Sequence, residues 1–414
     1  MRALTSLATI VVVVLAICGC TSNQRIPYTE AEASNAVIPG MPNVRYWADA
    51  PAELFEAGLA PKVRQPLTYL ALSGGGSDGA FSAGILNGWT ASGRRPEFTI
   101  VSGVSTGALI APLAFLGPAY DGILKKAYTS GEAELLIQYP SIFGGLFGAG
   151  IYNGDRLRKW IGRYVDDAML SVIAREHAKG RRLLVITTHL DSQRAVIWDM
   201  GAIAASGRPN ARKLFRDVLA ASASVPVVFT PTLIDVEANG RKFEEMHVDG
   251  AVARPVFTLP NAFLLGTAQS RTLARRLSLY IIINSTVGPN FEVVPENTIA
   301  IASRSTATSS TVKTQAILAG TYKAAQRAGF NFYLTYIDEE AALNGTTGFE
   351  TDQMRRLYNY GYEKARFGGF WQTMPPQAKK SPPTEPPDRS LHHHSSAWSS
   401  RAAPIKRVRI REVK

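Results

Sequence analysis

Phe98-Thr99-Ile100-Val101-Ser102-Gly103-Val104-Ser105-Thr106-Gly107-Ala108-Leu109-Ile110 is the stretch on which the fold turns. Residues Phe98–Ser102 read as a short buried strand, and the apolar run Thr106–Leu116 reads as a helix. Between them stands Gly103-Val104-Ser105-Thr106-Gly107, a G-x-S-x-G. A serine on a sharp strand-to-helix turn needs neighbours without side chains, because the turn brings two backbones together. Gly103 and Gly107 meet that need. The helix starting after Ser105 directs its positive dipole end toward the hydroxyl.

Upstream, a second strand-to-helix junction joins Leu67–Leu72 to Ala80–Ala91 through Ser73-Gly74-Gly75-Gly76-Ser77-Asp78-Gly79. Glycines let a backbone turn its N–H groups outward into a concave site for negative charge, whether a phosphate or a developing oxyanion. The segment also matches G-x-G-x-x-G. A dinucleotide site, however, wants an acidic residue at the end of the next strand, and Glu97 precedes its strand. No G-x-x-x-x-G-K-[ST] occurs. Downstream lies His247-Val248-Asp249-Gly250-Ala251, whose Asp-Gly alone would signal only a turn.

Further strands are expected at Arg182–Thr188, Ala195–Asp199, Val227–Leu233 and Leu277–Asn284. Helices are expected at Asp155–Tyr164, Ala211–Ala221 and Thr311–Arg327, with a helical turn at Ala52–Ala57. This alternation argues an α/β domain with a largely buried sheet.

The glycine loop, the Ser105 turn and Asp249-Gly250-Ala251, in that order, resemble the patatin-like phospholipase family. So does Ala221-Ser222-Ala223-Ser224-Val225-Pro226-Val227-Val228-Phe229, similar to that family's A-S-x-A-x-P-x-x-F stretch with Ser224 in place of alanine. The resemblance covers residues 67–285. It implies a three-layer α/β/α fold with a central, mostly parallel sheet. It further implies a lipid acyl hydrolase with Ser105 as nucleophile, Asp249 as its base, and an oxyanion hole at Gly74, Gly75 and Gly76. Asp78 departs from the family, which usually has a basic residue there. No cofactor and no metal are expected.

A carboxylate is a weak base unless burial raises its pKa, so a dyad asks much of the glycine loop. A Ser-His-Asp triad is the rival, with Ser105, Asp191 and His247 in the required chain order. His247, two residues from Asp249, is instead expected to pack against or orient that carboxylate. His177 lies in the charged run Arg175–Arg182 and is expected to be exposed.

The flanks decide the compartment. Arg2 and the apolar run Leu7–Ile17 form a short secretory h-region, and Ile17-Cys18-Gly19-Cys20 resembles a bacterial lipobox with Cys20 as the lipidated residue. Cys18 and Cys20 are the two cysteines of the chain, so no disulfide framework is available. Thr21 and Ser22 lack the aspartate that often marks inner-membrane retention. Export and membrane anchoring, with the outer membrane preferred, are therefore expected.

Of 414 residues, 46% are apolar and 19% charged, with a net charge of +12. The tail from Pro375 is Pro/Ser-rich and carries nine Lys/Arg against three Asp/Glu, half of that excess. A nucleic-acid reading thus loses its support, whereas a basic tail suits an anionic lipid surface. His392–His394 in the tail and Arg271–Arg276 read as solvated, and Tyr139–Tyr152 as a buried connection or a mobile cover. The expected organisation is a signal (1–19), a tether and covering segment (20–66), a hydrolase domain (67–338), a helical or irregular extension (339–374) and a disordered tail (375–414). The expected partners are lipid substrate and a membrane surface, with protein partners left open. The alternative is an inactive lipoprotein of the same fold serving lipid binding or envelope assembly.

Overall fold

Strand Leu67–Leu72 shows how the layers arise. Along a strand successive side chains face opposite ways. Here Leu67, Tyr69 and Ala71 join one apolar cluster while Leu70 and Leu72 join another. Both faces are therefore covered, as expected for strands that are apolar throughout.

The computed structural model describes residues 25–63, 66–137, 150–152, 154–258, 276–342 and 349–376. These fall in one unit that ends at Pro376. Cys18, Cys20, residues 139–149, residues 271–275 and His392–His394 lie outside the described residues.

In chain order the strands are β1 (Arg45–Trp47), β2 (Leu67–Leu72), β3 (Ile100–Val104), β4 (Gly150–Tyr152), β5 (Arg182–His189), β6 (Arg194–Asp199), β7 (Val227–Phe229), β8 (Thr232–Ala238), β9 (Arg241–Asp249), β10 (Leu277–Ile283) and β11 (Asn331–Tyr336). The longer helices are α1 (Gly79–Ala91), α2 (Thr106–Leu116), α3 (Asp121–Thr129), α4 (Gly154–Tyr164), α5 (Asp167–Ala178), α6 (Ala211–Ser222), α7 (Thr298–Ala328) and α8 (Thr351–Phe367).

The main sheet runs β1-β6-β5-β3-β2-β10-β11, with β9 added to β5 and β8 added to β9. Strands β5, β3, β2, β10 and β11 are parallel, while β1, β6, β9 and β8 join by antiparallel pairings. Helices α1 to α6 and α8 contribute to the apolar cluster on one face; α7 and helix Ala52–Gly58 contribute to the other. The fold is thus the expected α/β/α arrangement, a mixed and mostly parallel sheet between helices. Burying each large apolar side chain in it stabilises by roughly 1.5–3 kcal/mol.

Departures from expectation have local causes. Val227–Leu233 is not one strand: Pro231, which lacks an N–H, separates β7 from β8. The β8–β9 hairpin turns at Asn239 and Gly240, both at positive φ (52° and 77°), as a two-residue turn that matches strand twist requires. Helix α7 begins at Thr298, well before Thr311, capped by Asn297, whose side chain accepts the Ala300 N–H. Within residues 25–63, β1 forms the sheet edge against β6. Helix α8 packs closely on α1, because a Cβ at Gly84 or Gly88 would fall 2.1 Å from the carbonyl oxygen of Tyr358 or Tyr362.

Candidate active site

Strand β5 acts as the ruler of the site. The last residue of β3, Val104, pairs with Ile186, and the last residue of β9, Asp249, pairs with the next residue, Thr187. The residue after Val104 is Ser105. The two strands therefore arrive end to end along β5 and present Ser105 and Asp249 to each other.

Ser105 Oγ donates to Asp249 Oδ2 at 2.5 Å, and both residues are buried. Ser105 adopts φ 55°, ψ −124°, a conformation that L residues rarely hold. Its N–H donates to Ser222 Oγ at 3.0 Å, and Ser222 Oγ in turn donates to the Ile186 carbonyl at 2.6 Å. At Gly103 and Gly107 the turn brings backbones too close for a side chain. A Cβ at Gly103 would lie 2.3 Å from Gly107 O, and one at Gly107 would lie 2.6 Å from the carbonyl oxygens of Leu72 and Ser73.

Asp249 Oδ1 accepts the Ala251 N–H at 2.8 Å, and the Asp249 N–H donates to Ser224 O at 3.0 Å. Burial pushes its carboxyl up to about 7, against the opposing pull of the Ser105 hydroxyl and the Ala251 N–H. The stretch Ala221–Phe229 thus serves both groups: Ser222 holds the Ser105 backbone and Ser224 the Asp249 backbone. The sequence alone gives Ser222 no role; its signal is a small hydroxyl at the C-terminus of a helix leading to Asp249.

The glycine loop lies over Ser105, and a Cβ at Gly74 would sit 3.1 Å from Ser105 Cβ and 3.8 Å from its Oγ. The expectation that Gly74 donates to an oxyanion is corrected, because its N–H is taken by Pro255 O at 3.0 Å. Gly75 (φ 154°) and Gly76 (φ 57°) hold conformations foreign to other residues, and neither N–H has an acceptor among the described residues. Asp78 stands two residues beyond, its carboxyl raised to about 7 by burial, with no partner among the described residues.

The triad combination is not assembled. Asp191 pairs with Arg25 at 2.7 Å and accepts from Tyr28, and His247 bonds neither Ser105 nor Asp249. His247 packs instead: its Nδ1 meets Thr187 Oγ1 at 2.9 Å and its Nε2 meets Glu245 Oε2 at 3.3 Å. His177 is corrected from exposed to half-buried, with Nδ1 3.5 Å from Asp199. Glu97 lies at the opposite end of β2 from the glycine loop, its carbonyl accepting from the Thr68 hydroxyl.

Among the described residues one group has the composition of a metal site: His189, Glu245 and His247, with donor atoms within 4.8 Å. Glu245 already carries the guanidinium of Arg45, and His189 Nδ1 accepts the Ser192 N–H. A cation would have to displace Arg45, so this is a satisfied polar core. Among the described residues no helix is long and apolar enough to cross a membrane.

Parts of the chain are similar to known proteins. The curated "Uncharacterized protein R571" of Acanthamoeba polyphaga mimivirus is 28% identical over 181 residues, 41% of this chain and 56% of that protein. The chain therefore spans about half the length of that relative. The solved structure of VipD from Legionella pneumophila is similar at a TM-score of 0.38 and 14% identity, over 73% of this chain and 66% of that one. Residues 70–260 match the family model described as Patatin-like phospholipase, a span that holds the glycine loop, Ser105 and Asp249. That segment of the chain is similar to the patatin-like phospholipase family.

Proposed function

We propose that the protein is a lipid acyl hydrolase that cleaves carboxylic esters through an acyl-serine intermediate, with Ser105 as nucleophile and Asp249 as its base. The observation that carries this reading is the 2.5 Å hydrogen bond from Ser105 Oγ to a buried carboxylate beneath a glycine loop.

In this reading Ser105 Oγ attacks the ester carbonyl carbon as Asp249 Oδ2 takes its proton. A carboxyl near 7 suits that task, being about half ionised at neutral pH and basic enough to accept. The carbonyl oxygen becomes an oxyanion facing the N–H groups of Gly75 and Gly76, each such donor contributing on the order of 3 kcal/mol. The tetrahedral intermediate expels the alcohol, which leaves with the proton returned by Asp249. Water then attacks the acyl-serine; Asp249 takes its proton and hands it to Ser105 Oγ as the free acid departs.

The same proposal includes residues 1–19 as a removed signal, Cys20 as a lipid anchor on the exported protein, and the basic tail beyond Pro375 as a contact with anionic lipid. The 67–338 span is proposed as the hydrolase domain. Incubation with a fluorophosphonate probe followed by peptide mass spectrometry tests the chemistry. The expected result is a single adduct on Ser105, absent from Ser105→Ala. Folded protein that takes up no probe and releases no fatty acid from mixed phospholipid and glycerolipid vesicles overturns the reading in favour of a non-catalytic lipoprotein.

A further inference from the structure

Asn284, the residue after β10, lies outside the family-matched segment and reads in the sequence only as the end of a strand. It is fully buried, as is Ser82 on the first turns of α1, and Ser73 at the end of β2 is nearly so. Its side chain joins these elements. Oδ1 accepts the Ser82 hydroxyl at 2.6 Å and the Ser82 N–H at 3.2 Å, and Nδ2 donates to Ser73 O at 2.9 Å. The Asn284 N–H donates to Ser73 Oγ at 2.8 Å. Ser73 Oγ then donates to the carbonyl of Gly74 at 2.7 Å.

That last bond fixes one peptide unit. The carbonyl of Gly74 and the N–H of Gly75 are opposite ends of the same planar amide. Holding the oxygen toward Ser73 points the N–H the other way. A hydrogen bond received at the carbonyl end also polarises the amide and strengthens its N–H as a donor. Gly75 is pressed on Asn284 as well: a Cβ there would fall 2.3 Å from the Asn284 carbonyl oxygen.

We propose that Asn284 and Ser73 form a positioning relay that orients and polarises the Gly74–Gly75 peptide, so that the Gly75 N–H serves the oxyanion. The inference rests on the hydrolase reading above. Asn284 and Ser73 do not touch the reacting atoms; they act through Gly75. An amide at position 284 is needed because one group must accept from α1 and donate to β2 at once. A hydroxyl at position 73 is needed because it must accept from Asn284 and donate onward.

The test compares wild type with Ser73→Ala and Asn284→Ala on a soluble p-nitrophenyl butyrate substrate, together with the rate of Ser105 phosphonylation by a fluorophosphonate. Ser73→Ala is expected to lower kcat by about 10–100-fold with KM changed by less than about twofold, and to slow phosphonylation in parallel. Asn284→Ala is expected to lose at least as much; should it not fold, Ser73→Ala, which removes a single oxygen atom, carries the test. An active wild type with a Ser73→Ala variant that retains kcat within about twofold per folded molecule, or that changes KM alone, overturns the relay. A wild type that neither hydrolyses the ester nor takes up the probe overturns the hydrolase reading, and the relay with it.

Discussion

Ser105 and Asp249 are 144 residues apart in the chain and meet because β3 and β9 end on consecutive residues of β5. The register of one strand therefore sets the Ser105–Asp249 distance, and no loop has to find it.

The first expected outcome concerns pH. Asp249 must be ionised to accept a proton, and its carboxyl is raised from 3.8 to about 7. The kcat/KM profile of wild type is expected to rise on its acid side with a midpoint near 7, and Asp249→Asn is expected to lose turnover by at least about 1,000-fold. A profile flat from about pH 5 to 8 would contradict the assignment.

Stability should move the opposite way. Between about pH 4 and 7 the folded carboxyl holds a proton that the unfolded chain has released, so stability falls as pH rises through this window. Asp249→Asn removes this contribution. Its unfolding free energy is expected to exceed that of wild type above pH 7, by an amount on the order of a few kcal/mol, with the gap closing toward pH 4. Thermal scans across pH check the sign.

Asp78 offers a smaller version of the same effect. Its carboxyl is raised to about 7 by burial, but the residue is only half-buried. Asp78→Asn is expected to stabilise at pH 8 by on the order of 1 kcal/mol once solvent screening is allowed for, with no gain at about pH 4. Chemical denaturation at the two pH values gives the comparison.

The strained turn makes a separate prediction. Ser105→Ala and Ser105→Gly both remove the hydroxyl, so their difference isolates the backbone at φ 55°, ψ −124°. The glycine variant is expected to be more stable by about 1–2 kcal/mol, although glycine normally destabilises through its unfolded-state entropy. Urea midpoints of the two inactive variants measure it.

The Arg45–Glu245 pair ties β1 to β9. Glu245 is fully buried, and although burial pulls its carboxyl up, His189, His247 and Arg45 together hold it well below the usual range. Arg45→Ala leaves that charge uncompensated and is expected to cost about 3–5 kcal/mol, whereas an Arg45→Met/Glu245→Met double variant recovers most of the loss. A single variant as stable as wild type would show that Glu245 takes up a proton cheaply.

Much of this was legible in the sequence. Strand β2 and helix α2 fall on their expected bounds, because an unbroken apolar run beside a glycine turn leaves the backbone few choices. The spacing of Gly103, Ser105 and Gly107 likewise announced the elbow. Hidden were the features that depend on a distant partner. The commitment of the Gly74 N–H to Pro255 needs the chain 181 residues later, and no local pattern reports it. Strand β9 is not legible although Asn239-Gly240 marks its hairpin, since its charged residues Arg241, Lys242, Glu244 and Glu245 mask the alternation. Asn284 looked like the end of a strand because its task is carried by a side chain that bonds two other elements.

The close seat of α8 on α1, through Gly84 and Gly88, has a consequence for how this chain can change. Helix α1 starts at the glycine loop, yet the surface that steadies its far side comes from residues 351–367, about ninety residues beyond the family-matched segment. Strands β10 and β11, also outside that segment, extend the sheet beyond β2. The family-matched segment is thus not a detachable cassette. Substitutions in the last hundred described residues can retune the glycine loop while every recognisable motif stays intact.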